Sequence, residues 1–148
     1  MKKPELHALC TALLEQKLSD LAKSIQDVRE SVASDTKSSM GDKYETAREM
    51  AQQELGKLQQ QEAITRQLLL GLKTLDANKV CNNVTAGALV KTDKMWFYLA
   101  AGIGKVEMGQ ENMMVISLQS PLGRALNGKS AGETAQVNGV IYRILEVV

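Results

Sequence analysis

Aromatic residues and histidine are scarce in this 148-residue chain, and both shortages limit what it can do. Aromatic side chains make up 3% of the residues, although they supply much of the buried area in compact enzyme cores. His7 is the only histidine, which leaves a Cys-His zinc site or a His-based catalytic centre short of ligands. Much of hydrolase and acyl-transfer chemistry is therefore disfavoured. We expect no enzymatic activity and no cofactor of the chain's own.

Long apolar runs are also absent. No stretch approaches the ~20 apolar residues that a membrane span requires, and residues 1–4 lead into an amphipathic pattern instead of the apolar region of a signal peptide. Cys10 and Cys81 lie far apart in the sequence and are interpreted as buried thiols of a reducing compartment. A cytoplasmic protein without a membrane partner is expected.

Charge of one sign is lacking too, since the formal net charge is +1. No global field attracts nucleic acid, so any contact with a polyanion must be local. Lys91, Lys94 and Lys105 form a small candidate basic patch for nucleic acid, but an ordinary solvated surface is the favoured interpretation.

The first part of the chain has a heptad pattern. A helix is predicted from about Pro4 to Ala33, because proline suits a first helical turn and no further proline or glycine occurs within this segment. Its apolar residues step by four and three, as in a coiled coil. They are Leu14, Leu18, Leu21, Ile25, Val28 and Val32.

A polar turn, residues 34–41, separates this helix from a second one, predicted from Asp42 to about Leu75. Asp42 and Glu45 have the spacing of a capping box. Two helices of about 30 residues, each roughly 45 Å long, exceed the core of a small globule and predict an antiparallel hairpin. The apolar face of the second helix is predicted to contain Ala47, Ala51, Leu55, Leu58, Ile64, Leu68, Leu69, Leu72 and Leu75.

The remaining residues predict a small, mainly antiparallel sheet. Residues 68–70 are consecutive leucines that cannot all face one helix, so the sheet domain is expected to pack there. We predict two domains, 1–77 and 78–148, and an α+β fold. Strands are expected at 88–91, 95–101, 113–118, 134–137 and 140–147, with a hairpin at Asn138-Gly139 and a short helix from Ser120-Pro121 to about Asn127-Gly128.

The segment Val115–Glu133, VISLQSPLGRALNGKSAGE, resembles the C-terminal signature of the Gre (GreA/GreB) family of bacterial transcription elongation factors. The segment Gly41–Glu54 is more weakly similar to that family's hairpin tip and second helix, including Tyr44, Ala47, Arg48 and Glu49. The matching positions of the signature are Ser120, Pro121, Arg124, Ala125, Leu126, Gly128, Lys129, Gly132 and Glu133.

This resemblance implies a partner, bacterial RNA polymerase, and a way of binding it. A coiled-coil tip would enter the secondary channel, and an FKBP-like C-terminal domain would hold the channel's rim. Contact with nascent RNA would then occur through the polymerase. The implied polymerase-binding residues are Lys37, Lys43, Tyr44, Ser120, Pro121, Arg124 and Lys129.

Asp35, Asp42 and Glu45 are the tip acids that the resemblance implies as ligands of a Mg²⁺ held jointly with the polymerase. The family's acidic pair, two residues apart, does not align cleanly with them, and capping explains Asp42 and Glu45 equally well. Lys37 and Lys43 also dilute the negative charge. Stimulation of RNA cleavage and simple occupation of the channel by a regulator therefore both remain open.

Two further classes are alternatives. A helical hairpin can serve as a scaffold or chaperone-like grip that shows no preference for polymerase. A prolyl isomerase needs a concave aromatic pocket, whereas Trp96, Phe97 and Tyr98 are consecutive on one predicted strand and alternate between its faces.

Overall fold

The computed structural model describes residues 2–35 and 42–148, with only the backbone described at residues 2, 34, 35 and 42–44. Two helices, α1 (Lys2–Asp35) and α2 (Asp42–Lys73), form an N-terminal hairpin. A six-stranded, mostly antiparallel sheet with one short helix follows, which confirms the predicted α+β class. Most of the predicted turn, residues 36–41, lies outside the described residues.

The chain divides into two compact units, residues 13–67 and residues 1–12 together with 68–148. The second unit therefore includes the first turns of α1 and the last turns of α2 as well as the sheet. The predicted boundary between domains 1–77 and 78–148 is a statement about which segments fold independently, and it stays a prediction. No helix among the described residues is long and apolar enough to cross a membrane.

The unit formed by residues 13–67 has the predicted seam on α1. Leu14, Leu21 and Ile25 are buried, and the other predicted seam residues of α1 are half-buried. On α2 the less exposed positions again step by four and three, and they are Ala51, Leu55, Leu58, Glu62 and Thr65.

The predicted apolar face of α2 is wrong at two positions. Ile64 is 54% exposed and Ala47 is exposed, whereas Thr65 is fully buried and donates a hydrogen bond to the Gln61 carbonyl oxygen at 2.7 Å. Helical phase decides which residues face the partner helix, and Ile64 is one residue out of phase. Thr65 occupies the seam because its hydroxyl is satisfied within its own helix.

The six strands are β1 (Leu89–Thr92), β2 (Trp96–Leu99), β3 (Gly104–Met108), β4 (Glu111–Ile116), β5 (Thr134–Val137) and β6 (Val140–Val147). Their order across the sheet is β3-β4-β2-β1-β6-β5, and every pair is antiparallel except β2 with β4. The sequence did not predict β3, because Gly104 marks its start as a turn and only Val106 in it is buried. The predicted β5 and β6 are confirmed at both ends.

Side chains of the sheet alternate between two faces. On one face, α3 (Pro121–Leu126) and the segment after α2 cover a core that contains Val84, Val90, Phe97, Leu126 and Ile144. On the other face Tyr98, Met113 and Val115 are fully buried. Leu6, Cys10, Leu69 and Leu72, from the helix ends that belong to this unit, are buried as well.

The tight turn between β5 and β6 has the predicted residues. Asn138 and Gly139 have φ values of 52° and 79°, and both central residues of a type I′ turn need positive φ. Val137 and Val140 pair across the turn, so the hairpin closes with a two-residue loop.

Candidate functional site

The segment that resembles the Gre signature forms α3 and the turns around it. Ser120 is the N-cap of α3: its hydroxyl accepts a hydrogen bond from the Gly123 amide at 3.0 Å and donates one to the Ser117 carbonyl oxygen at 2.6 Å. Pro121 follows in the first turn, where its missing N–H costs nothing. The helix start predicted at Ser120-Pro121 is confirmed.

Gly123 is required by close backbone packing. A Cβ atom built there would lie 2.1 Å from the Ser117 carbonyl oxygen and 2.8 Å from Leu118 Cα. The loop before α3 therefore folds back against the helix, and this close approach sets the direction of α3. Sequence inspection did not single out Gly123, because a glycine inside a predicted helix ordinarily indicates only a weak position.

The rest of the signature also builds the local backbone. Leu126 is fully buried, and Gly128 and Gly132 have positive φ values of 80° and 95°. The Val84 amide donates to the Lys129 carbonyl oxygen and the Gly128 amide donates to the Val84 carbonyl oxygen, both at 2.8 Å. Glu133 accepts a hydrogen bond from the Ser130 amide at 2.8 Å. Most of the signature thus specifies this turn and helix.

Three of the implied polymerase-binding side chains remain accessible on this element. Pro121 and Arg124 are exposed and Lys129 is half-buried, and we call these three residues the α3 surface. Ser120 differs from them, because its hydroxyl is engaged on both sides by its own chain. A shallow open groove lies beside Ser120, and its lining includes Gly102, Gly104, Val115, Ile116, Ser117 and Gln119.

The candidate tip residues are only partly described. Glu45 is exposed in the first turns of α2, where it lines an open depression with Arg48, Glu49 and neighbouring polar residues. The side chains of Asp35, Asp42, Lys43 and Tyr44 lie outside the described residues, and so does Lys37 as a whole. The predicted capping box of Asp42 with Glu45 stays a prediction for the same reason. Within the described part of the chain, no group of three or more His, Cys, Asp or Glu residues is placed to hold a metal ion.

The three lysines of the candidate basic patch are separated. Lys91 is on β1 and Lys105 is on β3, with β2 and β4 between them, so their strands lie roughly 14 Å apart. Lys94 is in the turn after β1, where its ammonium donates to the Ile141 carbonyl oxygen at 2.8 Å and lies 5.6 Å from the centre of the Tyr142 ring. The three lysines do not form one binding surface.

The three consecutive aromatic residues divide between the two faces of the sheet, as alternation predicts. Phe97 packs edge-on against Tyr142, with ring centres 5.5 Å apart. The Tyr98 hydroxyl lies 2.7 Å from His7 Nδ1 on the opposite face. Burial raises the pKa of the Tyr98 phenol, and the nearby Cys10 and Cys81 add to this effect. These rings are structural contacts and do not converge on a pocket.

One buried charged residue was missed by inspection of the sequence. Lys3 is only 2% exposed, and its ammonium donates to the carbonyl oxygen of Lys79 at 2.7 Å and to a main-chain oxygen of Val148 at 3.0 Å. It also lies 3.7 Å from Cys81 Sγ. Helical spacing could have predicted its burial, because Lys3 precedes the buried Leu6 and Cys10 of α1 by three and seven residues.

Comparisons with known proteins add a structural likeness. No protein-family model matches the chain, and no curated protein sequence matches it. The chain is similar to the crystal structure of GreA factor homolog 1 (Gfh1) of Thermus thermophilus, with 15% sequence identity and a TM-score of 0.36. The match covers 93% of this chain and 94% of the other.

Proposed function

We propose that this protein is a bacterial RNA polymerase-binding factor of the Gre type, which places its coiled-coil tip in the polymerase secondary channel. The observation that carries the proposal is the Val115–Glu133 segment. It resembles the Gre signature, and it folds into a capped helix that leaves Pro121 and Arg124 exposed. The same chain carries the helical hairpin that such a factor needs.

The α3 surface supplies the proposed docking contact. Arg124 presents a guanidinium group, whose five N–H donors suit paired hydrogen bonds to a carboxylate on a partner. Lys129 adds a second cation and Pro121 a rigid apolar contact. The Ser120 cap and the close approach at Gly123 hold the backbone under Pro121 and Arg124, which would preorganise these two side chains for binding.

The hairpin supplies the proposed insertion element. Its buried residues are confined to a seam, and the other faces of α1 between residues 13 and 33 carry exposed residues such as Glu15, Lys17 and Lys23. Charges of both signs are interspersed there. A surface of this kind suits a water-filled channel better than a large apolar interface.

Asp35, Asp42 and Glu45 are proposed as the acids that act at the tip. Phosphodiester hydrolysis by two metal ions requires cations about 4 Å apart, and carboxylates are the oxygen ligands that Mg²⁺ takes. In this proposal the polymerase holds the metal, and the tip completes its coordination. The chain itself supplies no catalytic group and stimulates the polymerase's own cleavage activity.

The first experiment measures affinity for bacterial RNA polymerase. Arg124→Glu is expected to weaken binding by at least about tenfold, because it replaces the central cation of the α3 surface with an anion. Arg143→Glu is the matched control, because Arg143 is an exposed arginine on β6. Its neighbours Tyr142 and Ile144 face the side of the sheet that α3 covers, so the Arg143 side chain is on the opposite face. Circular dichroism checks that both variants fold.

Equal affinities for wild type, Arg124→Glu and Arg143→Glu would remove the α3 surface from the proposal. Absence of any binding to polymerase would overturn the proposed function. Recovery of unrelated proteins instead of polymerase subunits in a pull-down from bacterial lysate would favour the scaffold alternative.

The second experiment measures RNA cleavage by stalled, backtracked elongation complexes. Asp35→Asn, Asp42→Asn and Glu45→Gln are compared with Glu15→Gln, a change at an exposed acid of α1 outside the segments that resemble the Gre family. Loss of stimulated cleavage in at least one tip variant, with Glu15→Gln unaffected, supports the catalytic version. A wild-type protein that binds polymerase without raising cleavage above that of polymerase alone would identify a channel-occupying regulator.

A further inference from the structure

Lys3 and Cys81 form a buried pair that the proposed function does not use. Lys3 is 2% exposed and Cys81 is 5% exposed, and Lys3 Nζ lies 3.7 Å from Cys81 Sγ. Burial of a lysine is unusual, because removing an ammonium group from water costs several kcal/mol unless hydrogen bonds compensate. Here two main-chain oxygens, of Lys79 and Val148, and the Cys81 sulfur surround the nitrogen.

This contact joins parts of the chain that are far apart in the sequence. Lys3 is in the first turn of α1, and Cys81 follows α2 in the segment that covers one face of the sheet. Lys79, which accepts the shortest hydrogen bond from Lys3, belongs to the same segment as Cys81. The hydrogen bonds from Lys3 Nζ to the main-chain oxygens of Lys79 and Val148 hold the nitrogen close to the sulfur.

We propose that Lys3 and Cys81 form a reversible nitrogen–oxygen–sulfur bridge when the protein meets peroxide. A single bridging oxygen atom fits between Nζ and Sγ after a short approach of the two side chains. The bridge would covalently fasten the first turn of α1 to the segment that follows α2. This inference does not depend on polymerase binding.

The chemistry needs two molecules of hydrogen peroxide. In the first step Cys81 sulfur attacks one peroxide oxygen: the O–O bond breaks, an S–O bond forms, and a sulfenic acid and one water result. In the second step, after the ammonium has released its proton, the Lys3 amine forms an N–O bond to the sulfenic oxygen. The second peroxide accepts two electrons and two protons, one from nitrogen and one from oxygen, and leaves as two waters.

The position of Lys3 favours reaction at Cys81. Negative charge that develops on sulfur as it attacks peroxide lies beside the Lys3 ammonium. Burial raises the pKa of the Cys10 thiol to about 11, so little of that thiol is thiolate at neutral pH. Both cysteines are free, so neither is already in a disulfide.

The test uses the full-length chain treated with hydrogen peroxide, followed by intact mass measurement and peptide mapping. The expected product carries the mass of one oxygen less two hydrogens and contains a cross-linked peptide pair joining Lys3 to Cys81. A thiol reductant is expected to restore the original mass. The cross-link should also raise the melting temperature, because it closes a loop between residues 3 and 81 and so lowers the conformational entropy of the unfolded chain. Reductant should reverse that rise.

Three variants locate the bridge. Cys81→Ser and Lys3→Arg are expected to abolish the cross-linked product, whereas Cys10→Ser should retain it. If Lys3→Arg fails to fold, the peptide map of the oxidised wild type still decides, because it identifies both linked residues directly. A sulfinic or sulfonic acid at Cys81 with Lys3 unlinked, a Cys10–Cys81 disulfide, or an unchanged mass would each overturn the proposal.

Discussion

His7 Nδ1 and the Tyr98 hydroxyl lie 2.7 Å apart, and this hydrogen bond joins the second turn of α1 to the middle of β2. Tyr98 is fully buried, and its ring meets the His7 ring edge-on with centres 6.1 Å apart. The helix therefore contacts the sheet through a specific polar pair as well as through apolar side chains.

Tyr98→Phe is expected to destabilise the protein by about 1 kcal/mol, because it leaves His7 Nδ1 without this partner while the ring still packs. Chemical denaturation measures the change. Tyr142→Phe is the control, since Tyr142 is half-buried and its ring contact with Phe97 survives the change. Equal effects of the two substitutions would show that the His7 contact adds no stability.

Protonation of His7 is expected to lower the stability at acidic pH. Burial lowers the pKa of His7 from its ordinary value of 6.5, so the unfolded chain takes up a proton at a higher pH than the folded chain does. Above about pH 6.5 both states carry the neutral ring, and His7 leaves the stability unchanged. The stability falls as the pH drops below 6.5, and the fall ends once the folded state is protonated as well. Denaturation curves measured across this range should show a fall that His7→Gln lacks. A wild-type profile that matches the variant's would contradict the prediction.

Gly123→Ala is expected to destabilise the protein by about 3 kcal/mol, because the added Cβ meets the Ser117 carbonyl oxygen and Leu118 Cα. Gly102→Ala is the matched control, since no atom lies within 4 Å of the Cβ position there. The difference in unfolding free energy between the two variants measures the cost of crowding. If both proteins were equally stable, α3 would not depend on this close approach.

Leu72→Ala should cost about 3 kcal/mol and Leu70→Ala almost nothing. Leu72 is fully buried and Leu70 is 58% exposed, although both lie in the same leucine-rich turn of α2. Thermal or chemical unfolding compares the two proteins. A loss of stability at Leu70 as large as that at Leu72 would mean that a partner or a second copy covers Leu70 in solution.

The isolated segment 78–148 is expected to melt at a lower temperature than the whole chain. It lacks four buried residues of the helix ends that belong to the same compact unit, Leu6, Cys10, Leu69 and Leu72. Calorimetry measures the melting temperatures of the segment 78–148 and of the whole chain. In a second experiment, a synthetic peptide of residues 1–12 should raise the melting temperature of the segment 68–148. Identical values for the segment and the whole chain would show that the helix ends do not stabilise the sheet.

The parts of the fold that the sequence predicted are those governed by local rules. Ser120 and Pro121 begin α3 because an N-cap acceptor followed by proline suits a helix start, and Asn138-Gly139 turns the chain because both residues tolerate positive φ. At Gly104 the same local rules predicted a loop, whereas the structure has the start of β3. Pairing with β4 stabilises this strand, and its own β propensity does not. The parallel pairing of β2 with β4 likewise has no local signal.

The candidate site divides in the same way. The resemblance at Val115–Glu133 identified α3 as a candidate binding element. Only the structure distinguishes residues that stabilise the turn, such as Gly123 and Glu133, from the exposed Arg124. The acids proposed to act at the tip rest on the sequence alone, apart from the exposure of Glu45.

Residue type and spacing were enough to predict the two long helices, the capped α3 and the β5–β6 hairpin, because each depends on residues that are neighbours along the chain. The burial of Lys3 against Cys81 and the contact of His7 with Tyr98 depend on tertiary packing. Those contacts join residues more than 75 positions apart, and the burial that stabilises them exists only after the helix ends and the sheet have packed together.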